Sequence, residues 1–113
     1  MRSTAETVYW ITGLPRSGKT TLARALCEHI RNQNRAVVAL DDNEFRAACG
    51  GDLGFDEVAR LQNVKRLNGL CRLMSFQGLI IVCPTVSLFA EIHALNRRTL
   101  ERYVEVLILV PNE

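Results

Sequence analysis

The sequence predicts an α/β domain built on a parallel sheet with helices on both faces. Three observations predict it. Short apolar, β-branched runs alternate with stretches of helical periodicity, the pattern of parallel strands joined by right-handed crossovers. The run 79–83 is apolar at nearly every position, as expected of a strand covered on both faces. A glycine-rich segment ending in Lys-Thr stands between the first such strand and the first helix. With 113 residues the chain is one domain at most, large enough to bury about two-thirds of its unfolded surface.

Thr7–Thr12 is β-branched and aromatic and stops at Gly13, so it reads as a buried strand. From Gly18 to about Arg31 the pattern turns helical, with Leu22, Ala25, Leu26, His29 and Ile30 at spacings of three and four. Asn32-Gln33-Asn34 breaks it, and 36–40 is a second strand ending at Asp41. A short helix fits the segment after Asp42, and Gly50, Gly51 and Gly54 mark a loop. Asp56 caps a helix running to about Phe76, with Val58, Leu61, Val64, Leu67, Leu70, Leu73 and Met74 on one side. The third strand is 79–83. Ser87 caps a helix over Leu88 to about Thr99, and Tyr103–Val110 is a fourth strand whose outer edge has no following helix to cover it. No repeat, linker or low-complexity tract interrupts the order.

Composition excludes several classes. Lys plus Arg is 14 and Asp plus Glu 12, a net +2 that argues against binding nucleic acid or a membrane surface by bulk charge. The composition is 48% hydrophobic and 23% charged, which is globular and not disordered. The longest apolar run, 78–86, is far shorter than the roughly 20 residues of a spanning helix. Met1–Glu6 lacks the pattern of a secretion signal. Cys27, Cys49, Cys71 and Cys83 contain no Cys-x-x-Cys pair, so free thiols in a reducing cytoplasm are expected.

Gly13-Leu14-Pro15-Arg16-Ser17-Gly18-Lys19-Thr20 matches G-x-x-x-x-G-K-[ST] in the strand-to-helix context that the motif requires. Gly13 and Gly18 permit backbone angles and close approach that side chains block. The loop amides and the helix N-terminus, including Thr21, then face phosphate oxygens. Lys19 reaches the β and γ phosphates, and the Thr20 hydroxyl sits on Mg²⁺. ATP and Mg²⁺ are the cofactors this implies. At the end of the second strand Asp41 is the best-placed carboxylate to organise Mg²⁺ or accept a proton, although Asp and Asn are also common strand-end turn residues. Arg60 and Asn63 share a helix face. Phe55, in a glycine-bounded loop, is either a platform for a base or a core anchor. His29 and His93 have no metal-ligand partner at i+4.

These motifs together resemble the adenylylsulfate kinases, P-loop kinases that phosphorylate the 3′-hydroxyl of adenylylsulfate with MgATP. The resemblance runs from Val8 to Pro111. It is carried by Thr12-Gly13-Leu14 into Ser17–Thr20, Leu40-Asp41 with Arg46, and Asp52-Leu53-Gly54-Phe55. Arg60 with Asn63, Val86-Ser87, and Val104-Glu105-Val106 with Val110-Pro111 complete it. It implies that Arg46, Arg60 and Asn63 hold the sulfate or phosphate part of a small nucleotide substrate, that Phe55 stacks on its adenine, and that Val86 and Ser87 line the same pocket. It implies a three-layer P-loop nucleoside-triphosphate hydrolase fold with sheet order 2-3-1-4, incomplete at the C-terminus, and carries homodimers as an expectation.

The sequence departs from the family pattern in three places. The family has Leu-Asp-Gly-Asp at the end of the second strand. Here Asp42 replaces the glycine, and Asn43 occupies the usual catalytic position of the second aspartate. Asn can hydrogen-bond but cannot take a proton, so Asp41, or Asp42 if the turn is rearranged, is left to substitute beside Lys19. Residues 1–113 are expected to be the N-terminal part of a single kinase domain, since the family continues with a lid and a final strand that are absent here. A fragment, a natural truncation and completion by another chain all remain open, and phosphate binding is expected to survive better than turnover. Finally, the run 87–92 with Asn96-Arg97-Arg98 resembles a branch of the family associated with surface-polysaccharide synthesis, which acts on other activated nucleotides. Leu88, Phe89, Ile92 and Leu95 equally suit the core stripe of an amphipathic helix.

Overall fold

The computed structural model describes residues 5–86 and 89–109. Its elements in chain order are β1 (Thr7–Thr12), α1 (Lys19–Asn32), β2 (Val37–Ala39), α2 (Asp42–Ala48), α3 (Glu57–Ser75), β3 (Ile80–Thr85), α4 (Ala90–Thr99) and β4 (Arg102–Leu107). The four strands form one parallel sheet in the order β2-β3-β1-β4. The expected α/β class and the 2-3-1-4 order are both present.

Strand alternation sends side chains to two separate cores. Val8, Trp10, Ile81 and Cys83 face α3 and α4, packing with Val64, Leu67, Cys71 and Ile92. Ile11, Ile80 and Val82 face the other way onto Ala23, Cys27 and Ile30 of α1. Every residue of β3 is buried. At about 25 cal/mol per Å² of apolar surface, these two cores are the main stabilising contribution. β4 is an edge strand and is only half covered, with Val104 and Leu107 exposed.

Several boundaries differ from the sequence expectation. β3 runs on through Pro84, a residue that normally ends a central strand. Leu40 donates its N–H to the carbonyl of Val82, and the β2 ladder ends at Ala39 paired with Val82. Pro84 therefore lacks its N–H on the side where β2 has already stopped. On α1 the buried face is Ala23, Cys27 and Ile30, while Leu22 is exposed. Small residues let this helix lie close on the sheet. On α3 the buried face includes Asn63, Asn68 and Ser75, and Val58 and Leu73 point to solvent. The Asp56 cap is as expected, with its carboxylate accepting from the N–H of Ala59 at 2.8 Å. α4 starts at Ala90 with Phe89 as its cap residue. The expected cap Ser87, with Leu88, lies outside the described residues, as do Val110 and Pro111. No helix among the described residues is long and apolar enough to cross a membrane.

Candidate active site

The parallel sheet brings the C-terminal ends of β1, β2 and β3 to one edge, where loops leave for α1, α2 and α4. Gly13 follows β1, and a Cβ there would lie 2.8 Å from Ser17 Oγ and 3.2 Å from the carbonyl of Ile108. Gly18 caps α1 with φ of 98°, a left-handed conformation that disfavours side chains. The loop closes on itself through Ser17 N–H to the Leu14 carbonyl at 3.2 Å, and Lys19 Nζ donates to that same carbonyl at 2.8 Å. Ser17 Oγ is buried without a hydrogen-bond partner. Arg16, Gly18, Lys19, Thr20 and Thr21 line an open cavity of about 320 Å³ at the helix N-terminus. Such a loop presents backbone donors and a lysine to phosphate oxygens.

The end of β2 divides two adjacent aspartates between different tasks. Asp41 caps α2, its Oδ1 accepting from Asn43 N–H at 2.9 Å and Glu44 N–H at 3.0 Å. It shares a cavity of about 560 Å³ with Thr20, Arg24, Glu28 and Glu44. No cluster of three metal-ligating side chains occurs among the described residues. Thr20 and Asp41 face one space.

Asp42 turns the other way and is only 4% exposed. Its Oδ2 accepts from Thr85 Oγ1 at 2.7 Å and from Val86 N–H at 3.3 Å, latching α2 to the end of β3. Its carbonyl accepts from Asn63 Nδ2 at 3.0 Å, which ties in α3. Asp41 remains the cap of α2 while Asp42 is engaged by Thr85 and Val86.

Beside this latch lies a cavity of about 410 Å³. It gathers Asp42, Arg46, Arg60, Asn63 and Val86 with Leu14 and Pro15 of the loop, and Glu57, Val64 and Phe89 complete its wall. Four of the six residues expected around a substrate thus line one space. Arg46 is 8% exposed, its Nη1 donating to Asn43 Oδ1 at 3.1 Å. Phe55 is not a core anchor: it is 74% exposed, and the Arg46 guanidinium sits 4.4 Å from its ring centroid, a cation–π contact. Phe55 therefore stands beside the cavity without being part of its wall, and Ser87 lies outside the described residues. Sequence reasoning did not assign Glu57, Phe89 or the latch partner Thr85 to this site. Sequence reasoning offered Asp42 as an aspartate where a glycine was expected and as a substitute for the missing second aspartate, not as a latch between α2 and β3.

The cysteines behave as expected of free thiols. All four are unpaired, and only Cys49 is exposed. Burial pushes the Cys27 thiol up, with Arg31 partly opposing it. Burial raises Cys83 well above the ordinary thiol range, helped by its contact with Cys71.

Comparison with known proteins gives a consistent result. The sequence profile of the family described as adenylylsulphate kinase matches residues 5–113. An adenylyl-sulfate kinase of Aeromonas salmonicida is 37% identical over 106 residues, 92% of this chain and 54% of the relative. A cytidine diphosphoramidate kinase of Campylobacter jejuni is 32% identical over 101 residues, 89% of this chain and 59% of the relative. Among solved structures, an APS kinase of Mycobacterium tuberculosis in complex with AMPPNP and APS superposes with a TM-score of 0.86 at 29% identity. It covers 97% of this chain and 65% of that one. The chain spans a little over half the length of these two curated relatives.

Proposed function

The chain belongs to the adenylylsulphate kinase family, and we propose that it transfers the γ-phosphoryl group of ATP to a hydroxyl of an activated nucleotide, adenylylsulfate first among them. The observation that carries this reading is the single cavity that sets Arg46, Arg60 and Asn63 against residues Leu14 and Pro15 of the phosphate loop. A phosphate donor on the loop and an anionic nucleotide in the cavity would then share a boundary.

The roles follow from position. Backbone amides of 13–20 hold the triphosphate. Lys19 exchanges the Leu14 carbonyl for phosphate oxygens, a charge-assisted bond roughly twice as strong as a neutral one. Mg²⁺, held by Thr20 and Asp41, would neutralise charge on the transferring group. Arg46 and Arg60 orient the acceptor with donors suited to its acidic end, and Phe55 offers a face for its base. Phosphoryl transfer relies on positioning and electrostatics more than on a strong base, so Asn43 lowers the rate without removing the reaction.

A second acceptor, an amidated nucleotide diphosphate, is favoured by one specific observation. Asp42 puts a carboxylate on the cavity wall, and a relative at 32% identity is named as a cytidine diphosphoramidate kinase. The test is coupled ADP release with MgATP and each acceptor. Acceptor-dependent release that disappears in Lys19→Ala is expected. ATP binding with no release for any nucleotide acceptor would replace the kinase by a nucleotide-binding protein.

A further inference from the structure

Taking the phosphate loop as the donor site proposed above, we infer that the Arg16 side chain is a second cation beside Lys19, holding the phosphates that remain on the nucleotide after transfer. The loop motif leaves this position open to any residue, so the arginine is something this chain adds to a backbone cradle.

The local turn makes an arginine here unexpected. Ser17 donates its N–H to the Leu14 carbonyl at 3.2 Å, which closes a four-residue turn over 14–17. Pro15 takes the second place, where its fixed φ suits such turns. Arg16 takes the third, with φ of 65°. That place favours Gly or Asn, because a side chain at positive φ crowds its own backbone. The other non-glycine residue at positive φ among the described residues is Asn34, a residue type that tolerates it. Arg16 thus keeps a backbone strain that glycine would remove, and strain of this kind clusters at ligand sites.

The surroundings give the side chain something to do. Arg16 is exposed and has no hydrogen bond or ion pair among the described residues. It lines the cavity of about 320 Å³ with Gly18, Lys19, Thr20 and Thr21, a wall with two cations and no carboxylate. The other flank of the loop is different. Leu14 and Pro15 face the cavity beside Asp42, whose wall includes the carboxylates of Asp42 and Glu57. A phosphoryl group bound for an acceptor in that cavity lies on the Leu14–Pro15 side. The phosphates shared by ATP and ADP then lie on the Arg16 side, where a guanidinium offers them paired donors.

The test is calorimetric titration of the whole protein with ADP and with MgATP. Arg16→Ala and Arg16→Gly are each expected to weaken both nucleotides alike, by about 10-fold. Without nucleotide, Arg16→Gly is also expected to unfold at or above the wild-type temperature, since φ of 65° suits glycine. A residue kept for structure alone would leave affinity untouched in Arg16→Gly. Affinities within about twofold of the wild type in both variants overturn the inference. So does a loss in Arg16→Ala that is absent from Arg16→Gly, which would lay the effect on the backbone. A loss for MgATP without one for ADP overturns it by moving Arg16 to the γ-phosphate, and a wild type that binds neither nucleotide overturns it outright. Acceptor-dependent ADP release judges the kinase reading separately. Weakened binding in the variants with no release from the wild type supports the inference and refutes that reading, whereas release with unweakened variants does the reverse.

Discussion

Removing the Asn68 amide should loosen the cavity from a distance. Asn68 Nδ2 on α3 donates to Asn96 Oδ1 at 2.6 Å and to Thr99 Oγ1 at 3.1 Å, both on α4. Asn96 has no exposed surface. Asn68→Ala deletes two hydrogen bonds of about 1 kcal/mol each and strands the Asn96 oxygen, for a total near ~3 kcal/mol. An unfolding entropy of about 0.24 kcal/mol per kelvin for a chain of this length converts that to a fall in Tm of about 12 °C. Thermal unfolding followed by circular dichroism reads it, and a double-mutant cycle with Asn96→Ala should give a coupling above ~1 kcal/mol. The N-terminal end of α3 carries Arg60 and Asn63, and α4 begins just after Phe89 of the cavity wall. The acceptor KM should therefore rise while ATP affinity on the α1 side holds. A Tm loss below about 4 °C, or strictly additive single variants, would refute the reasoning.

Asn43→Asp should raise kcat about 10-fold or more, since it puts a proton-accepting group where Asn43 Oδ1 now meets Arg46 Nη1 at 3.1 Å; an unchanged kcat would assign the proton elsewhere. Burial pushes the Glu105 carboxyl up, but the Tyr103 hydroxyl, His93 and Arg97 outweigh it and hold it below its ordinary 4.5. A depressed carboxyl stabilises the fold above that ordinary value and loses its contribution as pH falls through the lower folded one. Tm should therefore drop more steeply below pH 4.5 in the wild type than in Glu105→Gln, as unfolding curves across an acid series would reveal. A thiol-specific chromophore should label Cys49 rapidly in the folded protein and reach Cys27, Cys71 and Cys83 only after unfolding; fast labelling of more than one thiol would contradict the burial.

The sheet and the phosphate loop were legible because their signals are local. A β-branched run, two glycines and a Lys-Thr pair each have one conformational use. Asp56 was legible for the same reason, since a cap is set by its own backbone. The helix faces were less so. Hydropathy favours Leu22 and Leu26 over Ala23 and Cys27, but close packing on a sheet favours the small residues. The side-chain amides of the buried Asn63 and Asn68 donate to partners distant in sequence, which periodicity cannot register. Pro84 was read as a strand end, and only the length of β2 shows why it is tolerated. Arg46, Arg60, Asn63 and Val86 do meet in one cavity as expected. The Asp42 latch depends on a residue 43 positions away, so no local pattern announces it.

The two neighbouring cavities hang from different parts of the sheet. The phosphate loop is suspended between β1 and α1, whereas the cavity beside Asp42 is assembled from the turn after β2, from α3 and from the end of β3. Leu14 and Pro15 of the loop reach the cavity beside Asp42, and the Leu14 carbonyl also accepts from Lys19 Nζ. Under the proposed function, substitutions around the cavity beside Asp42 would leave the hold on the triphosphate in place. Under that function, such a scaffold would let the acceptor change while the donor stays the same. The paired aspartates divide the work at this junction: Asp41 is committed to its helix, and Asp42 fastens that helix to the end of β3.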